Sequence, residues 1–109
     1  MSRYVVDTSA WVEYFSGSNI GKKVQKIVED PEMEIATNVI TVAELSSFFQ
    51  NKGISFDEFK KNLISLSSFG EVSFAFCEEA GRLHAEIRKE HKKISMADIF
   101  VLLTARKLN

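Results

Sequence analysis

Apolar and polar positions change period repeatedly along the chain, and each change predicts an element. Tyr4-Val5-Val6 is an uninterrupted apolar run that predicts a short buried strand, after which Trp11, Val12 and Phe15 fall at helical spacing. Ile20, Val24, Ile27 and Val28 make one stripe with Lys22, Lys23 and Lys26 opposite, stopped by Asp30-Pro31. Glu34-Ile35-Ala36-Thr37 predicts a second strand, and from Asn38 to Asn51 the spacing is helical until Lys52-Gly53. A helix is expected from Ser55 to about Ser68, with Phe56, Phe59, Leu63 and Leu66 inward. Glu71 to Phe76 predicts a third strand, Cys77 to about His91 a long helix, and Ser95 to Leu108 a last one. Strands alternating with helices predict an α/β sandwich, a central parallel sheet flanked by helices. Chemistry in such sheets gathers beyond the carboxyl ends of the strands.

Composition narrows the class. A chain of 109 residues that is 45% hydrophobic can bury a core of its own, and without a linker or low-complexity tract one domain over 1–109 is expected. The 14 basic and 15 acidic residues nearly cancel, so a polyanionic partner would have to be met by local basic patches or metal ions. The single cysteine, Cys77, excludes a disulfide scaffold and reads as a buried small hydrophobe. No apolar run suits a signal peptide or membrane span, so a cytoplasmic protein with no membrane partner is expected.

Three acids stand out. Asp7 ends the first strand, where it can cap the next helix or be delivered to a site. Glu44 in Thr41-Val42-Ala43-Glu44 and Asp98 in Ser95-Met96-Ala97-Asp98 fit capping-box spacing, as does Glu58 in Ser55-Phe56-Asp57-Glu58. The neighbours separate them: Ile40 and Phe48 flank Glu44, and Val101, Leu102 and Ala105 follow Asp98, so both acids are expected on inward stripes, whereas Glu58 faces Lys61 and Asn62. Inward carboxylates need a partner or a cation, and an all-oxygen set suits Mg²⁺ or Mn²⁺ better than zinc.

In this order, Asp7-Thr8-Ser9 after an apolar strand, Thr41-Val42-Ala43-Glu44-Leu45 opening a helix, and Ser95-Met96-Ala97-Asp98-Ile99 running on to Ala105 resemble the PIN-domain ribonucleases. Among these they resemble the small VapC-type toxins of prokaryotic toxin–antitoxin pairs. The resemblance spans the chain and implies a PIN-like three-layer α/β sandwich. It also implies an endoribonuclease in which Asp7, Glu44 and Asp98 hold Mg²⁺ or Mn²⁺ and Ser9 orders water or a ligand carboxylate. Products with 5′-phosphate and 3′-hydroxyl ends, an RNA substrate, a cognate antitoxin and a homodimer follow from it. The family's chains continue into a further strand with a fourth acid, whereas this sequence stops at Lys107-Leu108-Asn109, so the edge of Tyr4-Val5-Val6 is expected to lack that neighbour.

Other classes fit less well. A phosphatase with an aspartyl nucleophile usually has a second acid where Ser9 stands, a receiver domain needs an isolated aspartate after strand three, and no glycine-rich phosphate loop is present. The rival from another class is a PIN-like module that binds RNA or protein without catalysis. His84 and His91 are expected to be structural, and Arg82, Arg88, Lys89, Lys92 and Lys93 form the densest basic patch, a solvated face or a phosphate contact. Trp11, Phe15, Phe48, Phe49 and Phe74 read as core or dimer interface.

Overall fold

A computed structural model describes residues 2–108; the terminal residues of the expected domain, Met1 and Asn109, lie outside them. The elements are β1 (Ser2–Val5), α1 (Thr8–Ser16), α2 (Asn19–Val28), β2 (Met33–Thr37), α3 (Val39–Lys52), α4 (Asp57–Leu66), β3 (Ser68–Phe69), α5 (Phe74–Ile87) and α6 (Met96–Leu108). The three strands form a parallel sheet in the order β1-β2-β3. The expected α/β architecture is therefore present, with β1 at an edge among the described residues.

Alternation along the strands sorts the two faces. Val6, Ile35 and Thr37 are buried against Trp11, Leu45, Phe49 and Leu63. On the other face the register partners Arg3 and Glu34 pair at 2.9 Å, and Arg3 Nη1 also donates to the Leu108 carbonyl at the end of α6. Aromatic rings fill the space between α1, α3 and α4: Trp11 stacks on Phe15, and Phe59 stacks on Phe49 with centroids 4.6 Å apart.

Helices α1 and α2 pack close because Gly21 has no side chain. A Cβ there would lie 2.0 Å from the Glu13 carbonyl oxygen, a contact that only backbone movement could relieve. Gly21→Ala is expected to cost about 1–3 kcal/mol by overpacking, read as a lower urea midpoint at unchanged m-value.

A second tie holds the end of α2. Tyr14 Oη donates to Glu29 at 2.6 Å, and burial, then this bond and the Glu29 charge, push the phenol up to about 12. Glu29 is held below its ordinary value by the Tyr14 hydrogen bond and then by Gln25. The folded chain therefore keeps a proton that the unfolded chain releases above its ordinary tyrosine value of about 10. That stabilisation is complete below pH ~10 and lost as pH rises through about 12. Alkaline melts of Tyr14→Phe should lack this component of the decline.

Helices α5 and α6 form a separate apolar cluster around Ala80, Ile99 and Leu103. His84 is structural, as expected: its Nε2 lies 3.1 Å from the Ile94 carbonyl and fastens the turn between the two helices.

Several expectations are corrected. Glu71 to Phe76 is not a strand: β3 lies earlier at Ser68–Phe69, and Ser73 caps α5 by accepting from Phe76 N at 3.0 Å. Phe74, read as core or dimer interface, is not in the core: it is 87% exposed on the first turn of that helix. Helix α4 stops at Leu66, because Ser67 bonds Thr37 side chain to side chain at 2.7 Å and Ser68 pairs with Ala36. Helix α5 spans Phe74–Ile87 rather than Cys77 to His91, and Cys77 is exposed, not buried. Phe48 and Phe49, by contrast, belong to the core as read, Phe49 buried and Phe48 packed edge-on against it.

Candidate functional site

The carboxyl end of β1 delivers Asp7 to the start of α1. Its backbone is extended, its Oδ1 accepts from Ala10 N at 2.9 Å, and its own carbonyl accepts from Trp11 N, so Asp7 is the helix cap. Its side chain is exposed, bordering a cleft with Tyr4, Val24 and Ile27.

Glu44 comes to the same end of the sheet by a different route. Asn38, buried at the end of β2, caps α3 by accepting from Ile40 N at 2.8 Å. Thr41 is thus fully buried in the first turn of α3 rather than at its cap, and the Thr41–Glu44 spacing is not a capping box. Glu44 is left one turn on, exposed, with Oε1 accepting from the Thr8 hydroxyl at 2.6 Å. The residue next to Asp7 therefore holds Glu44. A shallow depression opens there, lined by Thr8, Ala43, Glu44, Ser47, Phe48 and Asn51. Ser9 is exposed on the first turn of α1; the hydroxyl that reaches a second acid is Thr8. Nothing local signals that contact, since 36 residues separate its partners.

Asp98 is committed to its own helix. Ser95 N donates to its Oδ2 at 3.3 Å and Asp98 N donates to Ser95 Oγ at 3.0 Å, a reciprocal capping box. At the third such spacing, Ser55 accepts from Asp57 N, and α4 begins without a side-chain cap. Helix α6 is anchored by Leu108 at Arg3 and by Thr104, whose Oγ1 accepts from Asn38 Nδ2 at 2.8 Å. It therefore rises toward the carboxyl ends of the strands, and the six residues from Thr104 to Asp98 carry the acid about 9 Å further along the helix axis.

The inward acids expected at Glu44 and Asp98 are corrected: both are exposed. Ile40 and Phe48, which flag Glu44 as inward, are themselves only half-buried, so they mark the flank of α3 rather than its core face. Among the described residues, no three of the acids, histidines and cysteine form a group that could hold a metal ion as they stand. The donor chemistry still suits a hard cation. Asp7, Glu44 and Asp98 each commit one oxygen to the hydrogen bonds above and keep a second oxygen for a ligand. Thr8, the neighbour of Asp7 in sequence, ties Glu44 to the first turn of α1, while Asp98 is bonded within its own cap.

Another cleft, about 400 Å³, lies between β2–β3 and α5–α6, bordered by Asn38, Phe69, Glu71, Phe76, Thr104 and Lys107, and includes none of the three acids. No described helix is long and apolar enough to cross a membrane. No curated protein matches the chain. A comparison with protein-family models matches residues 4–109 to the PIN domain, a fold of nuclease type, and with the parallel sheet and its flanking helices in place the chain belongs to the PIN-domain family.

Proposed function

We propose that this chain, as a single PIN-like domain over 1–109, is a divalent-metal-dependent endoribonuclease and the toxin half of a VapBC-type pair. The observation that supports this most is the Thr8–Glu44 hydrogen bond, which ties the acid of α3 to the residue that follows Asp7, within a chain of the PIN family. Asp7, Glu44 and Asp98 are the residues that would hold Mg²⁺ or Mn²⁺. An ion held there would supply Lewis-acid chemistry for activating water and steadying the leaving 3′-oxygen, which would give products with 5′-phosphate and 3′-hydroxyl ends. The residues themselves supply position: the cap fixes Asp7 at the strand end, Thr8 aims Glu44, and exposed Ser9 is left to order a water. An antitoxin covering the site, a homodimer and a cytoplasmic location complete the proposal.

That no three acids, histidines or cysteines among the described residues form a ready metal-holding group favours a second reading, a PIN-like module that binds RNA or protein without cutting. A labelled single-stranded RNA incubated with the chain and Mn²⁺ separates the two. The nuclease gives cleavage, lost in EDTA, with 5′-phosphate ends; RNA left intact at micromolar protein, yet retarded by the chain in a gel, assigns it to the binding class.

A further inference from the structure

We propose that the turn between α5 and α6, Arg88 to Lys93, is a phosphate-binding element that leads single-stranded RNA toward Asp98; this rests on the ribonuclease reading above. Four of these six residues carry a full positive charge against one carboxylate, Glu90, in a chain whose net charge is −1. The concentration is local, not a consequence of bulk charge. All six are exposed.

The cations are also available. Lys89 pairs with Glu86 at 3.2 Å, and on the preceding turn Arg82 pairs with Glu78 at 3.5 Å. Among the described residues, Arg88, Lys92 and Lys93 have no carboxylate within 4.0 Å. A basic run that merely solvates a helix face would sit along regular helix and be interleaved with acids. This one leaves the helix at Ile87 and ends two residues before the cap of α6.

The turn is held in one shape. His91 N donates to the Ile87 carbonyl at 2.9 Å, Ile94 N donates to the His91 carbonyl at 3.1 Å, and His84 Nε2 holds the Ile94 carbonyl. Cations on a fixed frame lose less freedom when they meet a polyanion. From Lys93 to Ser95 the chain reaches at most about 7 Å, and Ser95 is bonded to Asp98. A strand whose phosphates lie on Arg88, Lys92 and Lys93 is thereby brought beside an acid that would otherwise repel it. Acidic protein surfaces attract the same cations; the chemistry proposed for Asp98 selects RNA between the two.

The test is binding of a fluorescein-labelled twelve-nucleotide oligouridine to the full chain in EDTA, read by anisotropy over a range of salt. The parent is compared with the Arg88→Gln/Lys92→Gln/Lys93→Gln variant and with Arg82→Gln, circular dichroism confirming that each is folded. The triple variant is expected to bind tenfold or more weakly, with a log–log salt slope shallower by about 2, since each lost single-strand phosphate contact removes roughly 0.7. Arg82→Gln should follow the parent. A parent that cleaves RNA in Mn²⁺ while the triple variant keeps the parent's affinity and slope overturns the proposal alone. A parent that neither binds nor cleaves RNA overturns the ribonuclease reading with it. If the triple variant loses binding to polyglutamate but not to oligouridine, the turn serves an acidic protein partner instead and the proposal fails.

Discussion

Asp7→Asn is expected to leave the fold intact and to reduce RNA cleavage at least ~100-fold. The two halves of this result have different physical origins. Asparagine is as good a helix cap as aspartate, so its side-chain oxygen can still accept from Ala10 N and stability should change by less than ~0.5 kcal/mol. What the substitution removes is the negative charge beside the Thr8–Glu44 pair. Lewis-acid stabilisation is worth several kcal/mol, and each ~1.4 kcal/mol is tenfold in rate, so weakening the ion's hold should cost two orders of magnitude or more. Asp7→Ala adds the loss of the cap, about 1 kcal/mol, which in a domain of this size lowers the melting temperature by roughly 4–8 °C. Cleavage assays and thermal melts on the same preparations check both statements. Full cleavage by Asp7→Asn would leave Asp7 a cap and nothing more.

Trp11→Ala carries the largest expected loss of stability. Trp11 is 0% exposed, packed between Tyr14 and Phe15, and its indole N–H donates to Thr37 Oγ1 at 3.1 Å. Truncation deletes the apolar contacts and leaves a cavity, a combined cost of about 3–5 kcal/mol. Single domains hold only ~5–15 kcal/mol in total, so unfolding should shift down by more than ~12 °C or lose cooperativity. Thr37 keeps Ser67 as a partner at 2.7 Å, so no buried hydroxyl is orphaned and the loss is mostly packing. Trp11→Phe, which retains most of the ring contacts but not the indole donor, should cost nearer 1 kcal/mol. A melting temperature for Trp11→Ala within about 3 °C of the parent would show that the first helix does not carry the core.

Where periodicity was long and its ends were marked, the fold was legible in the sequence. Helix α3 begins one residue after Asn38 and closes at Gly53, whose φ of 71° suits a residue without Cβ. The parallel α/β arrangement followed from alternation of elements, and Ser95-x-x-Asp98 announced a capping box that the structure contains. Failures arose where short apolar runs were ambiguous. Val72, Phe74 and Phe76 resemble a strand, yet the Ser73 hydroxyl turns the chain into a helix and leaves Phe74 in solvent. The three candidate acids could be picked out in the sequence, but their arrangement could not. Whether Glu44 faced inward depended on where the core lay around α3, and the hydroxyl that holds it belongs to an element 36 residues earlier. Asp98 looked like a third member because it heads an apolar helix, but how far α6 carries it is set by the anchors at Arg3 and Asn38.

The central claim is that Asp98 joins Asp7 and Glu44 around one ion. Calorimetric titration of Mn²⁺ into the parent, Asp7→Asn, Glu44→Gln and Asp98→Asn tests it most directly. A shared site predicts saturable binding by the parent that weakens tenfold or more in each of the three variants. Asp98→Asn binding Mn²⁺ as tightly as the parent, or a parent that binds none, would contradict it.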